Sequence, residues 1–102
     1  MYNIFIGPPR FEWDENKNAE NMRKHGVPFE EAKTAFFDVN AEEYPDPDHS
    51  AGEDRFLLLG ITSHLRVLIV CHCYRENGEV IRMISARKAD KQEEADYWEL
   101  QQ

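Results

Sequence analysis

The strongest structural constraint in this sequence is the dipeptide Asn77-Gly78, which lies between two runs rich in Val and Ile. Asn-Gly is strongly preferred in the tight turns that join antiparallel strands, because both positions there adopt a positive φ. The flanking runs, Arg66 to Tyr74 and Glu79 to Ala86, are therefore predicted to form a β-hairpin. A leucine-rich run over Arg55 to Ile61 precedes them and predicts a third antiparallel strand.

Helix ends are marked at three places. Asp14 can accept hydrogen bonds from the free amides of a first helix, which is predicted to run to about Lys24 and to end at Gly26. Pro28 suits the first turn of a second helix. The segment Asp90-Lys91-Gln92-Glu93 has the spacing of a capping box and predicts a third helix near the C-terminus.

With two further short strands, predicted over Arg10 to Trp13 and Ala41 to Tyr44, the elements follow the order β-α-α-β-β-β-β-α. We predict an α+β fold in which a small antiparallel sheet carries two N-terminal helices and one C-terminal helix. A chain of 102 residues encloses one ordinary core, so residues 10–102 are predicted to form a single domain. Residues 1–9, which end in Gly7-Pro8-Pro9, are predicted to be a leader outside that domain.

The formal net charge of -8 argues against a protein that binds nucleic acid through its whole surface. The charge is, however, unevenly distributed along the chain. Residues 1–54 carry five basic and thirteen acidic side chains, whereas residues 55–89 carry six basic and two acidic ones. Because a phosphate responds to the potential within a Debye length of about 8 to 10 Å, a positive surface can exist on this acidic protein.

The two cysteines, Cys71 and Cys73, are separated by one residue in a predicted strand and are expected to share a face. This spacing does not suit an unstrained disulfide. A metal site needs further donors, and the intervening His72 is expected to point to the opposite face. We predict buried, reduced thiols, a core histidine at His72, and no metal or other cofactor.

No apolar run approaches the roughly 20 residues that cross a bilayer, and the N-terminus lacks the basic start and long apolar stretch of a signal peptide. Hydrophobic residues make up 41% of the chain and charged residues 31%, a balance typical of soluble globular proteins. We therefore expect a cytoplasmic protein without membrane contact.

Three segments, in this order, resemble the BrnT toxins of bacterial type II toxin-antitoxin pairs. They are Phe11-Glu12-Trp13-Asp14 with Lys17, Asn21 and Lys24-His25-Gly26-Val27; Phe29-Glu30-Glu31-Ala32; and Val80-Ile81-Arg82-Met83-Ile84-Ser85-Ala86-Arg87-Lys88-Ala89. The resemblance implies a fold similar to RelE-type ribonucleases and cleavage of RNA that stalls translation. It also implies that the chain forms a hetero-oligomer with a BrnA-like antitoxin. The chain is then expected to reach operator DNA only through this antitoxin.

Cleavage of RNA without a metal requires attack by the 2′-hydroxyl, stabilisation of the charge on the phosphoryl oxygens, and protonation of the leaving 5′ oxygen. Arginine suits the second task, because its planar fork of donors matches a phosphate and stays charged at any working pH. Arg75 and Arg82 lie on either side of the Asn77-Gly78 turn, and Arg87 follows at the strand end. These arginines and Ser85 are the predicted catalytic residues, and the resemblance supports Arg82 and Arg87 in particular.

Regular alternation places Ser85 and Arg87 on one face of the strand and Arg82 with Ala86 on the other, so convergence requires a bulge or a bend. The simpler alternative is that the arginines decorate an open sheet or pair with nearby carboxylates for little energy. The alternative for Ser85 is a hydrogen bond to the backbone.

Lys24, His25, Arg55 and Lys88 are predicted to bind substrate around this site, and Lys24-His25 belongs to the family pattern. His25 and His72 are the candidates for general acid or base duty, because histidine titrates nearest neutral pH, and the alternative for His72 is the core role given above. The alternative for His25 is a favourable charge at a helix C-terminus. We interpret Tyr97 as a packing residue and Glu93 as a helix cap. Two alternatives stay open: Tyr97 could supply a phenol near the site, and Glu93 could act as a base.

A second hypothesis is a non-catalytic, toxin-like module that binds a DNA-binding antitoxin and helps it to repress its operon. This hypothesis accounts better for the acidic composition. Direct DNA binding by this chain fits poorly, because no basic recognition helix is visible in the sequence.

Overall fold

The computed structural model describes residues 8–48 and 53–101. Within these ranges the elements are β1 (Arg10–Glu12), α1 (Glu15–His25), α2 (Phe29–Ala32), β2 (Glu42–Pro45), β3 (Phe56–Ile61), β4 (Val67–Arg75), β5 (Val80–Lys88) and α3 (Lys91–Glu99). The predicted α+β class is confirmed. Residues 1–7 of the predicted leader lie outside the described residues, so the division into a leader and one domain stays a prediction. No helix in the described ranges is both long and apolar enough to span a membrane.

The five strands form one sheet in the order β1-β5-β4-β3-β2. The strands from β2 to β5 pair antiparallel, as predicted, but β1 runs parallel to β5, with Phe11 opposite Ile81. The sheet is therefore mixed, and the prediction of a wholly antiparallel sheet was wrong. A local sequence pattern shows that a segment is extended, but it does not show which distant strand the segment joins or in which direction.

The predicted signals at the ends of α1 and α3 are confirmed. The side chain of Asp14 accepts a hydrogen bond from the amide of Asn16 at 2.7 Å, and Gly26 ends α1 with a φ of 69°. Asp90 and Glu93 form the capping box, in which each side chain accepts a hydrogen bond from the other residue's amide at 2.8 Å.

The second predicted helix is much shorter than expected. α2 has four residues and continues as a 3-10 helix over Lys33–Phe37. This tighter winding leaves both Ala35 and Phe36 buried against the sheet. The carbonyl of Ala35 comes so close to β3 that a Cβ atom at Gly60 would lie 3.0 Å from it. The expectation of two full N-terminal helices was therefore wrong, because close packing on the sheet replaces the regular helix.

The turn at Asn77-Gly78 joins β4 to β5 as predicted, but it is longer than a two-residue hairpin turn. Arg75 pairs with Val80, so residues 76–79 form the connection. Glu76, Asn77 and Gly78 all have positive φ angles, and the amide of Glu79 donates a hydrogen bond to the carbonyl of Glu76 at 3.1 Å.

The two faces of the sheet are covered differently. One face, which we call the helix face, packs against α2 and the 3-10 helix; its buried residues include Phe29, Phe36, Leu68, Val70, Ile81, Met83 and Ala86. On the opposite face, α3 covers one end through Tyr97, which packs with Leu59, Val67 and Ile69 and confirms the packing role predicted for this tyrosine. The remainder of that opposite face carries Arg55, Arg75, Arg82 and Arg87, and we call it the arginine face.

A β-bulge in β5 decides which side chains reach the arginine face. Cys71 on β4 lies opposite Ser85, whereas the next residue, His72, lies opposite Met83. Ile84 is therefore the extra residue of the bulge, and the alternation of side chains shifts by one position beyond it.

Because of this shift, Ala86 packs in the core of the helix face, and Arg87 lies opposite Ile69 on the other face. Arg82 lies opposite Cys73 and also belongs to the arginine face. Regular alternation alone would place Arg82 and Arg87 on opposite faces, and the bulge that their convergence was predicted to require is present in β5.

Candidate functional site

Three of the four arginines act on the thiol of Cys73 through their charges. Arg82 lies directly opposite Cys73, and Arg75 follows two residues later on β4 and on the same face. Arg55 immediately precedes β3. Burial is the main cause that raises the pKa of the Cys73 thiol, and Glu53 raises it further, while the charges of Arg75, Arg82 and Arg55 act to lower it.

These three arginines alternate with two carboxylates in a continuous series of ion pairs. Glu12 lies 2.8 Å from Arg82 and 3.7 Å from Arg75, measured between nitrogen and oxygen. Glu53 lies 3.1 Å from Arg75 and 3.7 Å from Arg55. Each carboxylate is thus shared between two guanidinium groups. We call Arg82, Glu12, Arg75, Glu53 and Arg55 the ion-pair chain.

One donor of the ion-pair chain is not satisfied. The Nε atom of Arg55 is buried and has no hydrogen-bond acceptor among residues 8–48 and 53–101, since its distance of 3.7 Å from Glu53 is too long for a hydrogen bond. A buried donor without an acceptor costs roughly 1 to 3 kcal/mol. An acceptor oxygen placed against this nitrogen would regain that energy.

Arg87 forms a second subsite with Glu93 at the start of α3. Two guanidinium nitrogens donate to the two carboxylate oxygens at 2.8 and 2.9 Å. These hydrogen bonds are the main cause that lowers the pKa of Glu93, and they raise the pKa of Arg87. The amide of Asp90 also donates its capping hydrogen bond to the Glu93 carboxylate. The helix cap predicted for Glu93 is therefore confirmed, and it holds an ionised carboxylate beside Arg87.

The arginines share a face, but Arg82 and Arg87 pair with carboxylates on different elements, Glu12 on β1 and Glu93 on α3. Arg87 lies five residues beyond Arg82 in the sequence. Along a strand this spacing separates their Cα atoms by roughly 15 Å. Ser85 lies between them on the same face and is exposed to solvent. The arginine face therefore has two subsites, which are the ion-pair chain and the pair formed by Arg87 and Glu93.

Sequence reasoning missed Tyr44 and Asp46 on this face. Burial is the main cause that raises the pKa of the Tyr44 phenol. The charge of Glu93 raises this pKa further, whereas the charge of Arg87 acts to lower it. The thiol of Cys71 donates a hydrogen bond to Asp46 at 3.6 Å. The strand predicted over Ala41 to Tyr44 is present as β2, but a local pattern does not show that it pairs with β3 and so brings Tyr44 and Asp46 beside the arginines.

Sequence reasoning also missed the two carboxylates of the ion-pair chain. Glu12 stands between Phe11 and Trp13, and alternation in a strand places it on the face opposite these aromatic residues. That signal gives the face of Glu12 but not its partner. Glu53 had no local signal, because it contacts Arg75 only through the tertiary fold.

Both cysteines are buried free thiols, as predicted. Burial raises the pKa of Cys71 to about 11, and the neighbouring Asp46 adds to the effect. Across residues 8–48 and 53–101, no three His, Cys, Asp or Glu side chains are grouped so that they would hold a metal ion.

His72 is fully buried, which confirms it as a core histidine. Its Nδ1 lies 3.0 Å from the carbonyl oxygen of Val70, and its Nε2 lies 2.6 Å from a carboxylate oxygen of Glu43. The ring packs against Phe36 with centroids 4.8 Å apart. His72 therefore belongs to the helix face and does not face the arginines.

Three of the predicted substrate-binding residues lie away from the arginine face. Lys24 and His25 are in the last turn of α1, where Lys24 lies 3.8 Å from Glu20. Lys88 is opposite Leu68, which belongs to the core of the helix face. Within the described part of the chain, the one contact between these residues and the four arginines is a backbone one, in which Arg87 donates to the carbonyl of Lys88 at 3.3 Å. Of the predicted binding residues, only Arg55 joins the site.

Comparison with known proteins places this architecture in a family. A family model described as the ribonuclease toxin BrnT of type II toxin-antitoxin systems matches residues 13–93. A comparison with curated protein sequences gave no match. The 1.1 Å crystal structure of the Brucella abortus ribonuclease toxin BrnT is similar in fold, with a TM-score of 0.64 and 24% identity over 82% of this chain and 100% of the other. Because the family model covers most of the chain, including all four arginines, this protein belongs to the BrnT family of type II toxin-antitoxin ribonuclease toxins.

Proposed function

We propose that this protein is an endoribonuclease that cleaves RNA on its arginine face without a metal ion and so inhibits translation in the cytoplasm. Membership of a ribonuclease toxin family supports the reaction class. The observation that carries the proposal is the cluster of three guanidinium groups linked through Glu12 and Glu53, in which a buried donor of Arg55 has no acceptor among the described residues. Such a cluster matches the oxygens of a phosphate backbone.

The two subsites fit two tasks in this reaction. Arg82, Arg75 and Arg55 bind backbone phosphates, and the scissile phosphate lies at Arg87 and Glu93, where a cation and an ionised carboxylate are held side by side. One preorganised donor of this kind stabilises a developing oxyanion by about 3 kcal/mol.

The chemical step proceeds by internal attack. Glu93 accepts the proton of the 2′-hydroxyl, whose oxygen bonds to phosphorus while Arg87 and the Ser85 hydroxyl donate to the phosphoryl oxygens. The bond from phosphorus to the 5′ oxygen breaks, and Tyr44, whose raised pKa keeps the phenol protonated, donates a proton to the leaving oxygen. The products are a 2′,3′-cyclic phosphate and a 5′-hydroxyl end.

The test is cleavage of a single-stranded RNA by purified protein in the presence of EDTA. We expect the wild-type protein to give these two ends, and the Arg82→Ala and Arg87→Ala variants to cleave more slowly. RNA that stays intact with all three proteins would remove the catalytic proposal. Cleavage that stops when EDTA is added would remove the metal-independent mechanism alone.

Membership of a type II toxin-antitoxin family implies an antitoxin partner. We propose that the partner is BrnA-like, forms a hetero-oligomer with this chain and carries it to operator DNA. To stop RNA cleavage, the antitoxin must cover the arginine face, which no helix of the described chain covers beyond the α3 end. Complementary charge on the antitoxin would speed and orient this association.

One observation favours a second function, that of a non-catalytic module. Each of the four arginines is already paired with Glu12, Glu53 or Glu93, so the face carries little net charge. A toxin-like module that only binds an antitoxin and supports repression needs no open anion site. Expression in a bacterial host separates the two functions: growth arrest that the co-expressed antitoxin reverses supports the toxin, and unchanged growth favours the module.

A further inference from the structure

The two carboxylates of the ion-pair chain occupy positions that RNA phosphates would take. Glu12 bridges Arg82 and Arg75, and Glu53 bridges Arg75 and Arg55. Carboxylate and phosphate oxygens bind the same fork of guanidinium donors. A bound RNA backbone and these carboxylates therefore compete for the same three cations.

Both carboxylates can leave at small cost. Glu12 lies on β1, an edge strand, and its side chain is 40% exposed, while that of Glu53 is 33% exposed. Ion pairs between partly exposed side chains contribute about 0 to 1 kcal/mol. Each carboxylate can turn into solvent when a stronger ligand arrives.

A phosphate has an advantage over the present ligands at Arg55. Glu53 approaches the Nε of Arg55 only to 3.7 Å, and this buried donor has no hydrogen bond. A phosphate oxygen at hydrogen-bond distance would satisfy the donor that the carboxylate leaves open. The exchange of Glu53 for a phosphate therefore gains one hydrogen bond.

On the basis of the RNA-binding function proposed above, we propose that Glu12 and Glu53 are internal counter-ions that compete with RNA for Arg82, Arg75 and Arg55. Each phosphodiester carries the same single charge as the carboxylate that it replaces. Both positions are emptied only when two phosphates bind together. The ligand class is therefore a single-stranded RNA segment with consecutive phosphates, and a mononucleotide binds weakly.

This exchange has a signature in the salt dependence of binding. RNA that binds free cations of a protein releases salt ions from the RNA, and affinity falls steeply as salt rises. Here the displaced carboxylates of Glu12 and Glu53 attract cations from solution. The net number of salt ions released on RNA binding is therefore smaller than for arginines without carboxylate partners. Removal of the carboxylate charges should make the dependence on salt steeper.

The experiment measures binding of a fully 2′-O-methylated, and thus uncleavable, single-stranded RNA to the wild-type protein and to Glu12→Gln, Glu53→Gln and the double variant. We expect binding to be about threefold to fivefold tighter for each single variant, and the salt slope to become steeper by roughly 0.7 per removed charge. Glu30→Gln is the matched control, because Glu30 forms a similar exposed ion pair with Lys33 at 3.2 Å on α2. Urea unfolding of each variant checks that the fold is kept.

Unchanged or weaker binding by the folded Glu12→Gln and Glu53→Gln variants would overturn this inference. Weaker binding that Glu12→Asp restores would show that the carboxylates only position the arginines. These outcomes are separate from the test of the reaction: if wild-type protein cleaves RNA but the glutamine variants do not bind more tightly, only this inference falls. If nothing is cleaved but these variants bind more tightly, the proposed reaction falls and the competition stands.

Discussion

Asn21 on α1 pairs with the backbone of Ala86 on β5 as a residue of a neighbouring strand would. The side-chain Nδ2 of Asn21 donates to the carbonyl of Ala86 at 2.8 Å, and the amide of Ala86 donates to Oδ1 at 3.0 Å. The same Nδ2 donates to the carbonyl of Val27 at 2.8 Å. Because β1 pairs with β5 only as far as Arg82, Asn21 continues the edge beyond the bulge and fixes the part of β5 that carries Arg87.

Replacement of Asn21 by Leu should destabilise the fold strongly. The substitution keeps the branching at Cγ but leaves backbone groups of Ala86 and Val27 without their partner, at a cost of roughly 2 to 4 kcal/mol. Urea denaturation measures the change in the free energy of unfolding. Lys17→Ala, an exposed substitution on the same helix, is the control. A loss below about 1 kcal/mol would show that this side chain does not hold β5.

The stability of the protein should fall in acid because of Glu31. Hydrogen bonds from Arg66 are the main cause that lowers the pKa of this buried carboxyl from 4.5 to about 2. Since the pKa in the folded state lies below that in the unfolded state, the stabilisation is complete above pH 4.5 and is lost as the pH falls towards 2. The shift corresponds to about 3 kcal/mol.

Acid titration of the free energy of unfolding tests this expectation. Glu31→Gln should remove most of the pH dependence between pH 4.5 and 2, because the titrating group is gone. The neighbouring Glu30 has an exposed side chain, so Glu30→Gln should leave the profile nearly unchanged. Equal profiles for the two variants would show that another carboxyl group controls acid stability.

Neither cysteine should react in the folded protein. Burial raises the pKa of Cys71 to about 11 and also raises that of Cys73, so little thiolate is present at pH 8. A disulfide reagent at that pH should modify both thiols only after urea unfolds the chain, with a rate at least about 100-fold slower in buffer. Rapid modification of the native protein would contradict the burial of these side chains under the arginine face.

The parts of the fold that sequence predicted correctly are those set by neighbouring residues. Asp14 needs only the amide of Asn16 to begin α1, and the capping box of Asp90 and Glu93 spans a single turn. The turn at Asn77-Gly78 is equally local, although its length depends on how the strands pair. Such signals are complete within a few residues, so the sequence displays them directly.

The arrangement of the site depended on contacts that no local pattern contains. The bulge at Ile84 places Arg82 and Arg87 on the same face, yet neither Gly nor Pro marks it in the segment Met83-Ile84-Ser85. Glu12 meets Arg82 only because β1 joins the edge of β5 in parallel. The arginines were therefore visible in the sequence, whereas their shared face and their carboxylate partners were not.

The two subsites should respond differently to the loss of an arginine. Arg87→Ala removes the cation proposed to stabilise the transition state, so kcat should fall by about 100-fold with little change in KM. Arg82→Ala removes a contact to a flanking phosphate, and Glu12 keeps its second partner, Arg75. For this variant KM should rise by roughly tenfold while kcat stays nearly constant.

Steady-state cleavage of a fluorogenic RNA measures both constants, and Arg23→Ala on the exposed surface of α1 controls for the loss of one positive charge. The contrast rests on the different partners of the two arginines in the free protein, which are Glu12 for Arg82 and Glu93 for Arg87, and on the separation of roughly 15 Å between their Cα atoms along β5. Equal losses of kcat in the two variants would mean that both side chains reach the same phosphate when RNA is bound. In that case the arginine face closes around its substrate, and the division into two subsites describes only the free protein.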